Sequence, residues 1–244
     1  MAKQKLSHAE DNLGAIEHSL TSVEVFIEKY QKLLIYGAVG LVLLIGVFFA
    51  YRSWYKAPLE EEAQSQLFAA VQYFEQDSLA LALNGDGANL GLLDIEDRYG
   101  STAAGNLACY YAGLAYLHTG VFDEAIAYLK KYSPGDNLSK ALVNGNIGDA
   151  YSELQDYDKA LSYYKKAANS DRSRLTAPRY LMKAGILLEA QRKYAEAKKI
   201  YERLKKDFPN SSEGYEADRC IARAQQRLQQ QEQQPQQEQQ EPRP

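Results

Sequence analysis

The sequence predicts an all-α protein in which a single membrane-spanning helix near the N-terminus precedes a solenoid of helical repeats. Three observations predict this fold class. Residues 33–51 contain no charged side chain, and residues 58–228 show the helical spacing of apolar residues without runs of β-branched residues. Within that second region, a pattern of small and aromatic residues recurs with a period near 35 residues.

The composition excludes several classes of protein. The 244 residues carry a formal net charge of -4, and no basic stripe is available to neutralise phosphates, so we expect no nucleic acid partner. Cys109 and Cys220 are too few and too far apart for a zinc site or a disulfide framework, although a single disulfide between them stays open. The mean hydropathy of -0.47 is that of a soluble protein, but it averages an apolar segment with a polar tail.

The uncharged residues 33–51 predict a transmembrane signal-anchor helix. Its 19 residues rise by about 1.5 Å each and so span roughly 28 Å, close to the hydrocarbon thickness of a bilayer. Basic residues flank the stretch, and aromatic rings lie where the two membrane interfaces would be, namely Tyr30, Tyr36, Tyr51, Trp54 and Tyr55. A buried core helix is the alternative, but such helices seldom run so long without a polar face.

The segment before the span, residues 1–32, predicts an amphipathic N-terminal tail, because apolar residues recur at spacings of three and four. Its surplus of lysines indicates, by the positive-inside rule, a cytoplasmic N-terminus and a translocated C-terminal domain. The sequence YRSWYKA after the span lacks a small-x-small cleavage site, so a retained anchor is favoured over a cleaved signal peptide.

Beyond the span, three segments align with offsets of 35 and 37 residues. Gly113, Gly148 and Gly185 coincide in this alignment. The other coinciding positions are Phe122, Tyr157 and Tyr194, then Ala125, Ala160 and Ala197, then Leu129, Tyr164 and Tyr201. Glycine inside a helix costs about 1 kcal/mol relative to alanine, so its recurrence indicates close packing of two helices. We expect the first ring to close the turn, and Tyr164 and Tyr201 to pack against the neighbouring unit.

This pattern resembles the tetratricopeptide repeat family. The hallmarks of that family are a small residue in the first helix, a tyrosine three positions later, here Tyr116 and Tyr151, and an alanine in the second helix. The third unit departs from the pattern with Leu188 in place of the tyrosine, and Pro209 ends that unit as in the family. The predicted repeats cover residues 106–139, 141–174 and 178–211.

Two flanking segments complete the predicted solenoid. Residues 58–104 are predicted to form a degenerate helix pair with its turn at Asn84-Gly85-Asp86-Gly87. A calcium loop at that turn is disfavoured, because one carboxylate cannot supply six oxygen ligands. Residues 212–228 predict a capping helix that begins at Ser211 or Ser212.

The C-terminal residues 229–244 are dominated by glutamine and predict a disordered tail, because the segment cannot bury a core.

No motif in the sequence predicts a catalytic centre, a cofactor or a metal site. The glycines follow neither a P-loop nor a dinucleotide-binding pattern. His118 is the one histidine beyond the N-terminal tail, and no motif places a nucleophile beside it. We therefore expect no enzyme; a hydrolase would require a pocket around His118.

A protein-binding module is the remaining interpretation, because the first helices of stacked hairpins line a concave groove. The candidate partner-binding residues from these helices are Tyr110, Tyr111, Leu114, Leu117 and His118, then Leu142, Asn146, Asp149 and Glu153, then Arg179, Met182, Lys183, Ile186 and Glu189. The set is aromatic at one end and charged at the other. An alternative stays open for Tyr110 and Tyr111, which would instead pack against the upstream helix pair.

Tetratricopeptide domains that clamp the C-terminal carboxylate of heat-shock proteins use lysine and asparagine side chains at set positions of the first helices. In this chain Tyr110, Leu114 and Gly145 occupy much of this set of positions in place of lysine and asparagine. We therefore do not expect binding of chaperone tails.

The order of the segments resembles the ancillary SecYEG translocon subunit family, also called YfgM-like, and the stretch EKYQKLLIYGAVGLVLLIGVFFAYRSWYKA carries the most specific local resemblance. The resemblance implies a bacterial inner-membrane protein with a periplasmic repeat domain, in contact with the SecYEG translocon and a membrane-anchored prolyl-isomerase-type chaperone. It implies a non-catalytic accessory of protein export. A scaffold for envelope assembly or cell division that binds a folded partner is the alternative.

Overall fold

The computed structural model describes residues 30–33, 35–171 and 175–238, and every regular element within these residues is helical. The predicted all-α solenoid is confirmed. The chain divides into two units, Met1–Pro58 and Leu59–Pro244. Residues 1–29 of the predicted N-terminal tail lie outside the described residues, as do residues 239–244.

The first unit contains helix α1, residues 30–51 apart from residue 34, followed by a π-helical segment, Arg52–Lys56. Within the helical stretch Tyr30–Glu75, an 18-residue window has a mean hydropathy of 2.6, and none of that window is buried. By length and composition this helix is able to cross a membrane.

Ten helices follow within the described residues, and apart from the first two residues of the first of these helices they belong to the second unit. They are α2 (Ala57–Glu75), α3 (Leu79–Asn84), α4 (Leu92–Tyr99), α5 (Ala103–His118), α6 (Phe122–Lys131), α7 (Asn137–Glu153), α8 (Tyr157–Ser170), α9 (Ala177–Ala190), α10 (Tyr194–Asp207) and α11 (Ser212–Glu238). Helices α5/α6, α7/α8 and α9/α10 form the three predicted hairpins, and each pair packs against the next.

Four turns in this unit share one backbone conformation. A residue with positive φ follows each first helix: Asp77 (58°), Gly120 (78°), Gln155 (60°) and Arg192 (57°). The next residue donates its N–H to the carbonyl five positions earlier, at 2.9 Å in every case. This is the left-handed termination that satisfies carbonyls at the end of a helix. Since glycine occupies only one of the four positions, the sequence carried little signal for the shared turn.

The shared turn corrects the prediction for residues 58–104. The first turn of this segment lies at Asp77, between α2 and α3, and not at Asn84-Gly85-Asp86-Gly87. Ala70 and Ala82 are fully buried and lie 43 residues before Gly113 and Ala125, so α2 and α3 form a further hairpin in the same register. Its second helix has six residues, and α4 is an additional helix that packs on α3 and α5. The predicted single pair was therefore wrong.

The loop after α3 is held by the Asp86 carboxylate. It accepts hydrogen bonds from the backbone N–H groups of Ala88 (2.8 Å) and Asn89 (2.6 Å) and from the Tyr73 hydroxyl (2.7 Å). The hydrogen bond from Tyr73, followed by those from Asn89, holds the pKa of Asp86 well below its usual range. The carboxylate is a structural acceptor, because protein donors occupy both of its oxygens.

Helix α11 corrects the predicted C-terminal boundaries. The buried Ser211 caps this helix, since its Oγ accepts the N–H of Gly214 at 3.0 Å. The helix then continues to Glu238, ten residues beyond the predicted end of the capping helix, so the prediction of disorder was wrong for residues 229–238. Glutamine and glutamate are good helix formers, and a helix already started adds residues at little cost.

The glycines of the first helices permit the predicted close approach. An ideal Cβ on Gly148 would lie 2.7 Å from the Tyr164 ring, and one on Gly185 would lie 2.2 Å from the Tyr201 ring. The Leu129 side chain closes on Gly113 in the same way, at 2.6 Å. Tyr164 and Tyr201 therefore fill the space above the glycine of their own hairpin, a contact that the sequence did not predict.

Successive hairpins meet through a second glycine contact. The Tyr180 ring of α9 lies against Gly145 of α7, where a Cβ would be 2.1 Å from a ring carbon. Tyr180 also stacks on Tyr164, with ring centroids 6.5 Å apart and planes inclined by 16°. The aromatic packing thus continues from the second repeat into the third.

We expect the substitution Gly185→Ala to destabilise the protein. The added methyl group would overlap the fully buried ring of Tyr201, and overpacking of this kind costs about 1–3 kcal/mol, more than the gain of about 1 kcal/mol in helix propensity. Denaturant unfolding measures the change. The matched control is Gly135→Ala, where nothing lies within 4 Å of the new Cβ. Equal stability of the two variants would contradict the close-packing interpretation.

We expect the solenoid to lose stability above pH 10. Burial raises the pKa of Tyr180 to about 12, and burial, followed by the nearby Asp149 carboxylate, raises the pKa of Tyr164 further. The folded state holds these phenol protons more tightly than the unfolded chain, whose tyrosines titrate near 10. The stabilisation is therefore complete below pH 10 and is lost as the pH rises through the folded pKa values. Phenolate absorbance and circular dichroism, recorded together, test this; full ionisation of all tyrosines near pH 10 would contradict it.

Candidate functional site

A groove of about 770 Å³ crosses the C-terminal parts of the first helices α5, α7 and α9. We call it the concave groove. Its lining consists of Leu117, His118, Gly120, Phe122, Asp149, Ser152, Glu153, Tyr157, Tyr164, Lys183, Ile186, Leu187 and Ala190. Three successive repeats therefore contribute to one surface.

The repeat register relates the groove residues to one another. At the position that Leu114 holds in α5, the next two first helices carry Asp149 and Ile186. One turn later, the corresponding residues are His118, Glu153 and Ala190. The solenoid thus presents different chemistry at equivalent places, with carboxylates on α7 and aliphatic side chains on α9.

The Asp149 carboxylate forms the polar floor of the groove. The Lys183 ammonium donates to both of its oxygens, at 2.6 and 2.7 Å, and the Tyr164 hydroxyl donates to Oδ1 at 2.8 Å. The two charged side chains are half-buried, and the same lysine lies 5.8 Å from the centroid of the Tyr164 ring. This network ties α9 to the preceding hairpin.

Six of the fourteen predicted groove residues line this cavity, namely Leu117, His118, Asp149, Glu153, Lys183 and Ile186. The other eight do not belong to its lining: Tyr110, Tyr111, Leu114, Leu142, Asn146, Arg179, Met182 and Glu189. Of these, Leu114, Asn146 and Met182 are half-buried, and Arg179 is exposed near the start of α9.

The two adjacent tyrosines of α5 take part in packing. The Tyr111 ring meets Phe74 of α2 edge-on at 5.4 Å, which is the upstream packing that the sequence left open. Tyr110 packs instead on Tyr132 at 5.3 Å, after the second helix of its own repeat, and burial is the main cause that raises its pKa. The predicted aromatic end of the groove is therefore occupied by the protein's own side chains.

Two aromatic residues were assigned by sequence reasoning to turn closure alone. Phe122 and Tyr157 begin the second helices α6 and α8, and both also line the concave groove. The aligned aromatic ring at the start of each second helix could have indicated a groove residue. Whether the ring faces the groove, however, depends on the left-handed residue two positions before it.

A Ser–His–Asp combination lines the groove, but its contacts are not those of a catalytic triad. Asp149 is bound by Lys183 and Tyr164, and no hydrogen bond joins His118 to Ser152 among the described residues. His118 is exposed and lies 5.8 Å from the Phe74 ring. The cavity around His118 therefore lacks the base-to-nucleophile hydrogen bond that a hydrolase requires.

Neither cysteine takes part in a disulfide bond. Cys109 and Cys220 are both buried and free, so they do not form the disulfide that the sequence left open. Burial raises the pKa of the Cys109 thiol, which disfavours the reactive thiolate. Within the described residues, no group of three histidine, cysteine or acidic side chains is placed to hold a metal ion.

Comparisons with known proteins agree with this architecture. Two profiles of the tetratricopeptide repeat match residues 141–174 and 179–211. The crystal structure of a putative kinesin light chain from Podosopora anserina, with nearly identical TPR-like repeats, covers 70% of this chain and 89% of its own, with a TM-score of 0.54 at 14% identity. A second crystal structure, of a single-residue variant of that protein, gives a TM-score of 0.53 at 16% identity, covering 74% and 93%. At these identities the likeness shows the fold alone.

A sequence relative adds the family. The uncharacterized protein ycf37 of Guillardia theta is 30% identical over 131 residues, which cover 50% of this chain and 70% of that protein. The more specific resemblance to the ancillary SecYEG translocon subunits stays a prediction. Tetratricopeptide proteins are typically non-catalytic scaffolds for protein–protein interaction. On the identity to ycf37 and the two matching repeat profiles, this chain belongs to the ycf37 family of tetratricopeptide-repeat proteins.

Proposed function

We propose that this protein is a non-catalytic, membrane-anchored adaptor that binds an extended segment of another protein in the concave groove. The observation that carries the proposal is the groove itself, to which three successive repeats contribute apolar and polar side chains. Ile186 is 52% exposed there, and covering this aliphatic side chain with a ligand would be favourable because it removes apolar surface from water. A groove open along the stack suits an extended chain better than a small molecule.

The anchor is the second part of the proposal. The apolar side chains of α1 are exposed along its length, and a soluble protein rarely leaves so large an apolar surface uncovered. A bilayer provides that cover. The aromatic side chains Tyr51, Trp54 and Tyr55 lie at the C-terminal end of the apolar segment, as expected at the boundary between lipid and water.

In its specific form, the proposal makes the protein an accessory subunit of the SecYEG translocon. The N-terminus would lie in the cytoplasm, and the solenoid on the periplasmic face of a bacterial inner membrane, beside a membrane-anchored prolyl-isomerase-type chaperone. The order of segments supports this assignment. Tethering would raise the local concentration of the groove at the channel exit, so that weak contacts with secreted chains suffice.

We expect a photoreactive amino acid at Ile186 to crosslink to translocating chains in intact cells. The matched control is Lys206, an exposed position on α10 outside the groove lining. A third site at Leu43 reports on neighbours of the anchor, and channel subunits are the expected products there. A single folded protein at Ile186 would favour the envelope or cell-division scaffold, and equal crosslinking at Ile186 and Lys206 would contradict binding in the groove.

We expect charges in α1 to weaken membrane attachment. Each arginine at the centre of a spanning helix costs about 2.5–3.5 kcal/mol on insertion scales, so the double variant Leu43→Arg, Ile45→Arg should move the protein from the membrane fraction to the soluble fraction. The control, Leu43→Ala with Ile45→Ala, keeps the segment uncharged and should stay with the membrane. Alkaline extraction followed by quantitative blotting measures the distribution, and a wild-type chain found wholly in the soluble fraction would contradict the anchor.

A further inference from the structure

The basic residue of the concave groove is already neutralised. The Lys183 Nζ atom lies 2.6 and 2.7 Å from the two Asp149 oxygens, so its charge and its donors are directed at a partner inside the protein. A carboxylate on a ligand would have to displace Asp149 to reach it. The groove therefore provides no unpaired lysine to bind the carboxylates of an acidic peptide, and these carboxylates gain little by leaving water.

One acidic side chain of the lining is left over. Glu153 follows Asp149 by one helical turn and lies on the same face of α7. It is exposed, and it has no hydrogen bond or ion pair with any residue in the described part of the chain. Its charge also reaches the floor of the groove, where it contributes to the raised pKa of Tyr164. An unpaired carboxylate beside the groove attracts a cation.

Apolar side chains share the groove lining with this carboxylate. Ile186 is more than half exposed in the groove, and Leu117, Phe122 and Tyr157 add partly exposed apolar surface from the neighbouring helices. When an apolar side chain of a bound segment covers Ile186, the next side chains of that segment come close to Glu153. Lysine and arginine suit that position, because their long stems pack on apolar surface while their charged ends reach a carboxylate.

We propose that the concave groove selects extended protein segments in which lysine or arginine flanks an apolar side chain, and that Glu153 is the residue that reads the basic group. This inference rests on the proposed function, since it specifies which segments the groove binds. Glu153 acts here as a specificity-determining residue, whereas Asp149 and Lys183 keep the groove closed to acidic segments.

The test measures peptide affinity by fluorescence anisotropy with the full chain in detergent micelles. Three short peptides with blocked termini carry two leucines in a glycine and serine background, flanked by lysine, glutamine or glutamate. At low ionic strength we expect the lysine peptide to bind about threefold to fivefold more tightly than the glutamine peptide, the range of an exposed ion pair. High salt should remove this ratio, because screening acts on exposed charges.

Three variants locate the effect. Glu153→Gln should bring the lysine and glutamine peptides to equal affinity. The matched control, Glu124→Gln, removes an exposed carboxylate from α6 outside the groove lining and should preserve the ratio. Asp149→Asn should release Lys183 while leaving an oxygen for the Tyr164 hydroxyl, and should therefore increase the affinity for the glutamate peptide.

The outcomes separate this inference from the proposed function. Equal binding of the lysine and glutamine peptides to the wild-type chain would overturn the inference and leave the peptide-binding function standing. Failure of all three peptides to bind would overturn both. A lysine preference that survives Glu153→Gln, or that disappears in Glu124→Gln, would overturn the role of Glu153.

Discussion

The contact between a small residue on the first helix and a large residue on the second is the constraint on which the solenoid depends. Gly113, Gly148 and Gly185 leave no room for a Cβ, and Leu129, Tyr164 and Tyr201 occupy the space. This contact sets the distance between the two helices of each hairpin. Because every repeat uses the same register, the hairpins have matching faces and stack, and the stack creates the groove.

In the second repeat this structural contact also reaches the candidate site. The ring of Tyr164 fills the space above Gly148, and its hydroxyl donates to Asp149 at the floor of the groove. Asp149 in turn binds Lys183 from the next repeat. Packing within one hairpin, contact between hairpins and the charge of the groove are therefore joined through three side chains.

Much of the fold followed from periodicity. The period near 35 predicted three hairpins, and the uncharged residues 33–51 predicted a long apolar helix, because both are patterns of residue type along the chain. The hairpin of α2 and α3 was missed, since its turn uses Asp77 and its second helix is short. Its alanines, Ala70 and Ala82, follow the common register and were the signal that was available.

Residue spacing along the chain was enough to predict the helical class, the repeat register and the first helices as the source of the groove. Which side chains are free to meet a ligand depends on how the helices pack in three dimensions. Tyr111 is engaged by Phe74, and Lys183 by Asp149, whereas Glu153 remains exposed at the groove. Those pairings join residues tens of positions apart, and they arise from how the hairpins stack, which residue spacing does not encode.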